Sequence, residues 1–406
     1  MTDPTGRSFL SYRRACADDA KLLIEAQHDV GIPTWQDTTN LGEEPTQDAI
    51  RKVLADPQIA NALLWLTPDV DDSPIIQRVE IPPALARFRA GDGFFVTPVL
   101  ARGLDYKEVD TVLDHRFAPS LTDWNLRKIP SALPLTAQEA AQVAAWVLER
   151  RLERIDRSLP PDAPLRLALF TREPAPFRPG EIALSLDWSH RFVGREALPG
   201  VWEEHLLPAL QTVAAQIAVR APRRRVEAEG LPSLAACVAL GCAFQATRRQ
   251  PLAWRQVFRN TEELWGLHAA PEESGFVAQT RSLDVKAQDL AVLVSVTEDA
   301  EPAFAASASG LPSFRAMVHV TRPGAYPHRL ASAGEAVDLV EKVIAALKAA
   351  RRTWREVRCA HLFLAVPAGV ALLFGQLANT LGPLQTYEHL PVDAVGRYRP
   401  SVQLTA

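Results

Sequence analysis

Glu80 is the acidic residue whose position in the sequence best fits a catalytic carboxylate. Ser73 and Pro74, just before it, are residue types that begin helices, the serine as a cap and the proline at the first helical position. Glu80 follows Ser73 by seven residues, almost two helical turns, so both side chains are expected on one helix face. A carboxylate there can stabilise positive charge that develops on a sugar ring. The same spacing also fits an ordinary solvated glutamate.

Short apolar strands alternate with helical segments around this position. The strands are predicted at Ser8–Tyr12, Ile32–Trp35, Ala62–Thr67 and Phe94–Leu100. This alternation predicts a parallel sheet with helices on both faces. Open sheets of this kind bind ligands beyond the carboxyl ends of their strands, and Glu80 is expected at that edge.

These residues resemble a TIR domain. The matching segments are Phe9–Tyr12, Trp35–Asp37, Gly42–Glu44 and the Ser73-x6-Glu80 spacing. The resemblance implies a flavodoxin-like, parallel-sheet α/β domain over residues 1–115. Catalytic members of that family hydrolyse NAD to nicotinamide and linear or cyclic ADP-ribose, and the glutamate that matches Glu80 is catalytic. This sequence departs from the family at Ile76, where a tryptophan is common, and Pro82–Pro83 is expected to end or kink the helix.

The TIR resemblance implies an NAD pocket around Glu80. NAD is then the substrate, and neither a cofactor nor a metal is expected. Nicotinamide leaves as a neutral pyridine, so one carboxylate with an aromatic or apolar wall is chemically sufficient. The resemblance also implies that the loop Gln36–Pro45 reaches a neighbouring subunit. The residues predicted to contact NAD are Phe9, Ser11, Tyr12, Trp35, Asp37, Glu43 and Ser73. On physical grounds, Phe9 and Trp35 fit core positions better.

Composition limits the class of protein. The chain has 406 residues, of which 47% are hydrophobic and 23% charged, which are ordinary values for a globular protein of about two or three domains. Its net charge of −4 argues against a general binder of DNA or RNA. The four cysteines have no metal-type spacing, and neither a signal peptide nor a membrane span is recognisable. We therefore expect a cytoplasmic protein.

The remainder of the chain divides at a helix. Residues 116–160 are predicted to form a linker and a connecting helix, which the capping box Thr136-x-x-Glu139 opens. Residues 161–406 then look duplicated, because the apolar strands Leu167–Glu173 and Ala291–Glu298 have the same form. Two such halves facing each other would form a cleft suited to a ligand with repeated parts.

A strand, a turn and a helix near the C-terminus form a candidate phosphate site. The apolar strand Arg358–Val366 leads through Pro367–Gly369 into a predicted helix, Val370–Leu381. Backbone N–H groups at such a turn, together with the helix dipole, bind phosphate. A routine crossover turn has the same pattern, so this interpretation stays open on the residues alone.

The same region resembles a SAVED domain over about residues 160–400. The matching motifs are His361–Phe363 with Pro367, Gly375 and Tyr387–Glu388, and further upstream Leu186–Trp188, Gly241–Phe244 and Asp289–Val292. The resemblance implies two fused CARF-like, Rossmann-like halves that sense cyclic oligonucleotide messengers in bacterial anti-phage (CBASS) signalling. The whole chain thus resembles a TIR–SAVED effector.

The SAVED resemblance implies a cyclic tri- or tetra-adenylate as ligand. Its predicted contacts follow strand ends and are Phe170, Thr171, Arg172, Thr297, Glu298, Pro367, Ala368 and Gly369. Arg172 suits a phosphate, whereas Glu298 suits a base or a ribose. The loop that contains Tyr326, His328 and Arg329 is placed to cover the site.

The two resemblances together imply an NAD hydrolase that is switched on by a messenger. Ligand binding would stack chains into a filament or ring and thereby complete the active site. Neither a nucleic-acid polymer nor a membrane is an expected partner. One alternative is a signalling scaffold whose TIR part only self-associates. Another is a nucleoside-processing enzyme of the same layout, such as a deoxyribosyl transferase.

Overall fold

The computed structural model describes residues 1–35, 46–117, 120–121, 124–247, 250, 252–257, 261–391 and 396–405. The predicted loop Gln36–Pro45, with Asp37 and Glu43, lies outside these ranges. The chain divides into two compact units, each built from several segments. The first unit consists of Met1–Ala168, Ala175–Asp187 and Ala215–Pro222. The second consists of Leu169–Pro174, Trp188–Ala214 and Arg223–Ala406.

A five-stranded parallel sheet with the order β2-β1-β3-β4-β5 organises the first unit. Its strands are β1 (Arg7–Ser11), β2 (Thr34–Trp35), β3 (Ile59–Leu66), β4 (Phe95–Leu100) and β5 (Arg127–Lys128). The four predicted strands and the parallel sheet are confirmed, and β5 is an addition. In this order the winding reverses between β1 and β3, and doubly wound sheets bind ligands at such a switch point.

Within the described ranges, the helices that accompany this sheet are α1 (Ala17–Asp29), α2 (Thr46–Ala55), α3 (Ile81–Arg89) and α4 (Ala137–Ser158). Strand β3 is buried along its whole length, as expected for a central strand that is covered on both faces. Apolar side chains of β3, α2 and α3 share one core cluster. This packing holds the carboxyl ends of β1 and β3 in fixed positions.

The expected effect of Pro82 and Pro83 needs correction, because α3 continues through both prolines to Arg89. The prolines lie in the first turn of α3, where a missing N–H costs least. The preceding segment Ile76–Glu80 is widened into a π-helical turn, in which the N–H of Ile81 donates to the carbonyl of Ile76. A proline ring in an α-helix clashes with the carbonyl four residues earlier, and the wider turn relieves that clash.

Helix α4, predicted as a connector, is built into the first unit. It begins with the predicted capping box at Thr136. The fully buried Arg151 donates hydrogen bonds to the carbonyl oxygens of Thr5 and Gly6, each at 2.6 Å, and of Ala183 at 3.1 Å. Burial lowers the pKa of Arg151 to about 10. A buried cation held by three carbonyls ties α4 to the N-terminal segment.

Two further sheets follow along the chain. One has the order β12-β11-β10-β6-β7, and the other the order β13-β15-β14-β16-β17-β18. The strands of the former are β6 (Leu165–Phe170), β7 (Leu184–Asp187), β10 (Val226–Leu231), β11 (Leu252–Val257) and β12 (Glu262–Gly266). Those of the latter are β13 (Val277–Ser282), β14 (Asp289–Ser295), β15 (Ala316–Thr321), β16 (Cys359–Ala365), β17 (Leu384–Leu390) and β18 (Arg397–Leu404). A small ribbon pairs β8 (Phe192–Val193) with β9 (Glu196–Ala197).

The helices of this part are α5 (Leu207–Arg220), α6 (Leu234–Ala243), α7 (Ala300–Ala306), α8 (Ala333–Thr353) and α9 (Ala368–Leu377). Across the described ranges, none of the helices is both long and apolar enough to cross a bilayer. Helices α6 and α9 are apolar all round and almost entirely buried, which marks them as the central helices of the second unit.

Helices α6 and α9 display the predicted duplication. Helix α6 follows β10 and helix α9 follows β16, and each of these strands has a parallel neighbour in its own sheet. The first residues of the two helices are 134 positions apart in the sequence, and so are their last residues. They cross where each carries a glycine. A Cβ built on Gly241 would lie 2.2 Å from the carbonyl oxygen of Leu372, and one built on Gly375 would lie 2.2 Å from that of Val238. These reciprocal contacts relate the helices by a local two-fold axis, and only glycine permits so close an approach.

Replacing either crossing glycine by alanine should destabilise the protein. In Gly241→Ala or Gly375→Ala the new methyl group meets a backbone carbonyl that cannot move aside, and we expect a loss of about 3 kcal/mol in the free energy of unfolding. Chemical denaturation measures this loss. Gly310→Ala is the matched control, because a Cβ there has no neighbour within 4 Å. Equal stability of Gly241→Ala and Gly310→Ala would contradict the close crossing.

Candidate functional sites

The first candidate site lies at the carboxyl edge of β1 and β3. Ser11, the last residue of β1, donates from Oγ to Oε2 of Glu80 at 2.5 Å. Ser11 is 1% exposed and Glu80 is 8% exposed. Glu80 ends the π-helical turn, so this turn carries its carboxylate to the switch point of the sheet. The interpretation of Glu80 as a solvated helix residue is therefore wrong.

An ion pair connects the loop that follows β1 to the loop that follows β3. Arg13, just after β1, donates to the main-chain oxygen of Asp69 at 2.7 Å and also to the carboxylate of that residue. The buried Thr67, directly after β3, donates from Oγ1 to Asp69 Oδ1 at 2.6 Å. Two strand ends are thus joined by charge-assisted hydrogen bonds, which hold the rim of the site in one geometry.

The other residues predicted around Glu80 are placed differently. Phe9 and Trp35 stack with ring centroids 5.3 Å apart inside the core, at 2% and 5% exposure. Their interpretation as core residues is confirmed, and a ligand contact by either ring stays a prediction. Ser73 precedes the helix as predicted, but its Oγ accepts from the N–H of Ile76 only at 3.5 Å, so its cap is weak. Tyr12 is partly exposed beside Ser11.

The second candidate site is a cleft of about 850 Å³ in the second unit. One part of its lining comes from β11, β12 and the residue before β12, and the other from loops that follow β14, β15 and β16. The lining residues are Gln256, Thr261, Glu262, Glu263, Trp265, Thr297, Pro327, His328, Arg329, Leu330, Ala331 and Pro367. The structure thus brings together Thr297, Pro367 and the predicted covering loop.

The N-terminus of α9 borders this cleft. Pro367 occupies the cap position, and no side chain caps the helix. A Cβ on Gly369 would lie 2.8 Å from Trp265 and 3.1 Å from Trp254, so glycine is required where these rings pack. His328 is 7% exposed, and its buried Nε2 has no hydrogen-bond partner within the described ranges.

Six predicted ligand contacts are not among the residues that line the cleft. They are Phe170, Thr171, Arg172, Glu298, Ala368 and Gly369. Thr171 is buried, and its Oγ1 accepts from the N–H of Ser233 at 2.8 Å. Glu298 lies with Oε1 3.3 Å from Nδ1 of His389. Sequence reasoning in turn missed Gln256, Glu262 and Trp265, because an antiparallel strand pair carries no motif that marks one of its side chains as ligand-facing.

The corresponding helix terminus in the other half is closed by a carboxylate. Glu388 of β17 is 4% exposed, and its Oε1 accepts from the N–H of Ala235 in the first turn of α6 at 3.2 Å. Ala235 and Gly369 are 134 positions apart, and so are Trp254 and Glu388. One strand residue thus covers each helix terminus, a carboxylate at α6 and an indole at α9. Only the terminus of α9 borders the large cleft.

Glu388 is an ionisable group in a buried position, where its charged form is disfavoured. Burial raises its pKa to about 7. Hydrogen bonds from Ser233 and Ala235 and the positive charges of Arg172 and Arg195 act in the opposite direction. The folded state therefore binds a proton at Glu388 more tightly than the unfolded chain does.

Glu388→Gln should change how stability depends on pH. A raised carboxyl pKa contributes stability that is complete below about pH 4.5 and is lost as the pH rises through about 7. The amide does not titrate, so from pH 4.5 to pH 8 stability should shift in favour of the variant by about 3 kcal/mol. Denaturant unfolding of both proteins across this range measures the shift. A constant difference between them would show that Glu388 keeps an ordinary pKa.

A comparison with known families finds a match in the part of the chain that contains the cleft. Residues 209–404 match the model of SAVED, the "SMODS-associated and fused to various effectors sensor domain". The predicted SAVED resemblance is confirmed over these residues, which include the lining of the cleft. A search among curated proteins finds no match.

Solved structures support the fold. One is the SAVED/CARF-domain containing receptor Cap4 of Acinetobacter baumannii with the cyclic trinucleotide 3'3'3'-cAAA. It is 13% identical with a TM-score of 0.52, and the match covers 98% of this chain and 100% of that one. The same receptor with 2'3'3'-cAAA is 14% identical with a TM-score of 0.51, over 97% and 99% of the two chains. At these identities the likeness concerns the fold alone.

Proposed function

We propose that this protein is an NAD hydrolase activated by a cyclic oligonucleotide in antiviral defence. The SAVED domain is the sensor, and the first unit, as a TIR domain, is the enzyme. One observation carries the catalytic part: a buried glutamate, bonded to Ser11, at the switch point of a parallel sheet with the order 2-1-3-4-5. This is the position that the TIR resemblance assigns to the catalytic carboxylate.

The cleft of the SAVED domain is the proposed messenger site. It joins the N-terminus of α9 at Pro367 and the exposed cation Arg329. These groups favour phosphate oxygens. Its volume of about 850 Å³ suits a ligand larger than a mononucleotide. The Cap4 structures contain cyclic trinucleotides, so a cyclic triadenylate is the first ligand to test.

Arg329→Ala should weaken messenger binding. The exposed guanidinium lines the cleft, and a charge-assisted hydrogen bond to phosphate is worth about 1.5 kcal/mol or more, which corresponds to an affinity loss of about tenfold. Isothermal titration with 3'3'3'-cAAA measures the loss. Arg352→Ala, at the exposed end of α8, is the control and should bind as the wild type does. Equal losses in both variants would place the phosphates elsewhere.

The chemistry proposed for Glu80 needs a single carboxylate. Cleavage of the bond between nicotinamide and ribose releases a neutral pyridine and leaves positive charge on the ribose. Water then adds to the ribose carbon and loses a proton, which gives ADP-ribose. Glu80 stabilises the charge or holds the ribose hydroxyls, and Ser11 fixes the rotamer of the carboxylate through its hydrogen bond.

Glu80→Gln should abolish NAD cleavage. With 3'3'3'-cAAA bound, the wild type should release nicotinamide from NAD, and the loss of the negative charge should reduce the rate by about 100-fold or more. Chromatography of released nicotinamide measures the rate. Asp71→Asn, an exposed carboxylate on the preceding segment, is the control and should retain activity. Equal rates for Glu80→Gln and the wild type would remove Glu80 from the chemistry.

The same assay separates the competing functions. A scaffold would assemble with ligand in both the wild type and Glu80→Gln but leave NAD intact. A nucleoside-processing enzyme would act on free nucleosides instead of NAD. In the proposed mechanism, messenger binding favours an assembled state in which a neighbouring copy completes the site. Activity per chain then rises with protein concentration.

A further inference from the structure

The messenger cleft contains acidic side chains as well as cationic groups. Glu262 and Glu263 come from β12, whereas Arg329 and Pro367 come from the loops after β15 and β16. A ligand made only of phosphates would be repelled by the carboxylates. A ligand that carries both anionic groups and hydrogen-bond donors matches the two parts of the lining at once.

The two glutamates differ in how many hydrogen bonds their carboxylate oxygens accept. Glu263 is fully engaged, since one oxygen accepts from Trp265 Nε1 at 3.1 Å and the other from the N–H of Ala333 at 3.0 Å. It therefore joins β12 to the first turn of α8. Glu262 is 55% exposed at its side chain and accepts from Nη1 of Arg255 through Oε2 at 2.7 Å. Its Oε1 has no hydrogen-bond partner among the residues that the structure describes.

Arg255 positions Glu262 and is shared with two other carboxylates. The guanidinium also donates to Glu227 at 2.6 Å and lies 3.6 Å from Glu229. One cation thus lies within 4 Å of three carboxylates. Glu227 and Glu229 are more buried than Glu262, so Glu262 is the carboxylate that a ligand meets.

We infer that Glu262 selects ligands by accepting a hydrogen bond from the exocyclic amino group of a base. This inference rests on the messenger site proposed above. An ionised carboxylate only accepts, so it attracts the amino groups of adenine, cytosine or guanine. A base with a carbonyl oxygen at that position is repelled. The base-reading role expected of Glu298 thus moves to Glu262, because Glu298 lies beside His389 and outside the cleft lining.

A change of base chemistry tests this inference directly. The probes are 3'3'3'-cAAA and the analogue in which hypoxanthine replaces each adenine, so that a carbonyl replaces the amino group. The wild type should bind cAAA at least about tenfold more tightly. In Glu262→Gln the preference should fall below about threefold, because an amide offers both a donor and an acceptor. Titration calorimetry measures both affinities.

Two controls separate the possible outcomes. Glu298→Gln should keep the wild-type preference. If Glu262 merely neutralises Arg255, Glu262→Gln will lower the melting temperature and leave the base preference unchanged, which overturns the inference. A wild type that binds both probes equally also overturns it while leaving the messenger site in place. If neither probe binds, the proposed messenger site fails, and this inference fails with it.

Discussion

The close crossing of α6 and α9 is the constraint on which the sensor depends. Where Gly241 and Gly375 meet, each backbone touches the other, so neither helix can slide without a clash with a carbonyl. This contact sets the local two-fold axis between the halves. It also fixes the N-terminus of α9 relative to β11, because Gly369 packs under Trp254 and Trp265. The cleft is a consequence of this packing.

The two-fold relation makes the asymmetry of the sensor informative. Equivalent helix termini carry partial positive charge, and each therefore attracts an anion. At α6 the chain itself supplies the carboxyl group of Glu388, which accepts from the N–H of Ala235. At α9 the equivalent strand residue is Trp254, which supplies an aromatic surface and no charge. The duplicated fold thus has one helix terminus that faces a carboxyl group and one that faces an indole.

Much of the fold follows from local sequence patterns. The apolar run at Ala62–Leu66 and the capping box at Thr136 predicted a strand and a helix that the structure contains. Glu80 was identifiable because its spacing from Ser73 combines with a preceding strand. The π-helical turn was not predicted, since the proline pair was expected to end or kink the helix and not to widen the turn before it. The cleft residues Gln256 and Trp265 depend on how two sheets meet, which no local pattern contains.

Burial of Glu80 bears on how the proposed NAD-cleaving activity would be controlled. At 8% exposure and with Ser11 bonded to it, the carboxylate presents little surface to a substrate in a single chain. The ion pair between Arg13 and Asp69 holds the surrounding loops in that geometry. Access of a substrate to Glu80 would then require a second conformation of the chain. A messenger favours that conformation only if it binds it more tightly than the first one. Each tenfold difference in affinity shifts the equilibrium between the two conformations by about 1.4 kcal/mol. A phosphate-rich ligand that contacts several groups of one cleft can differ in affinity for the two conformations by several factors of ten.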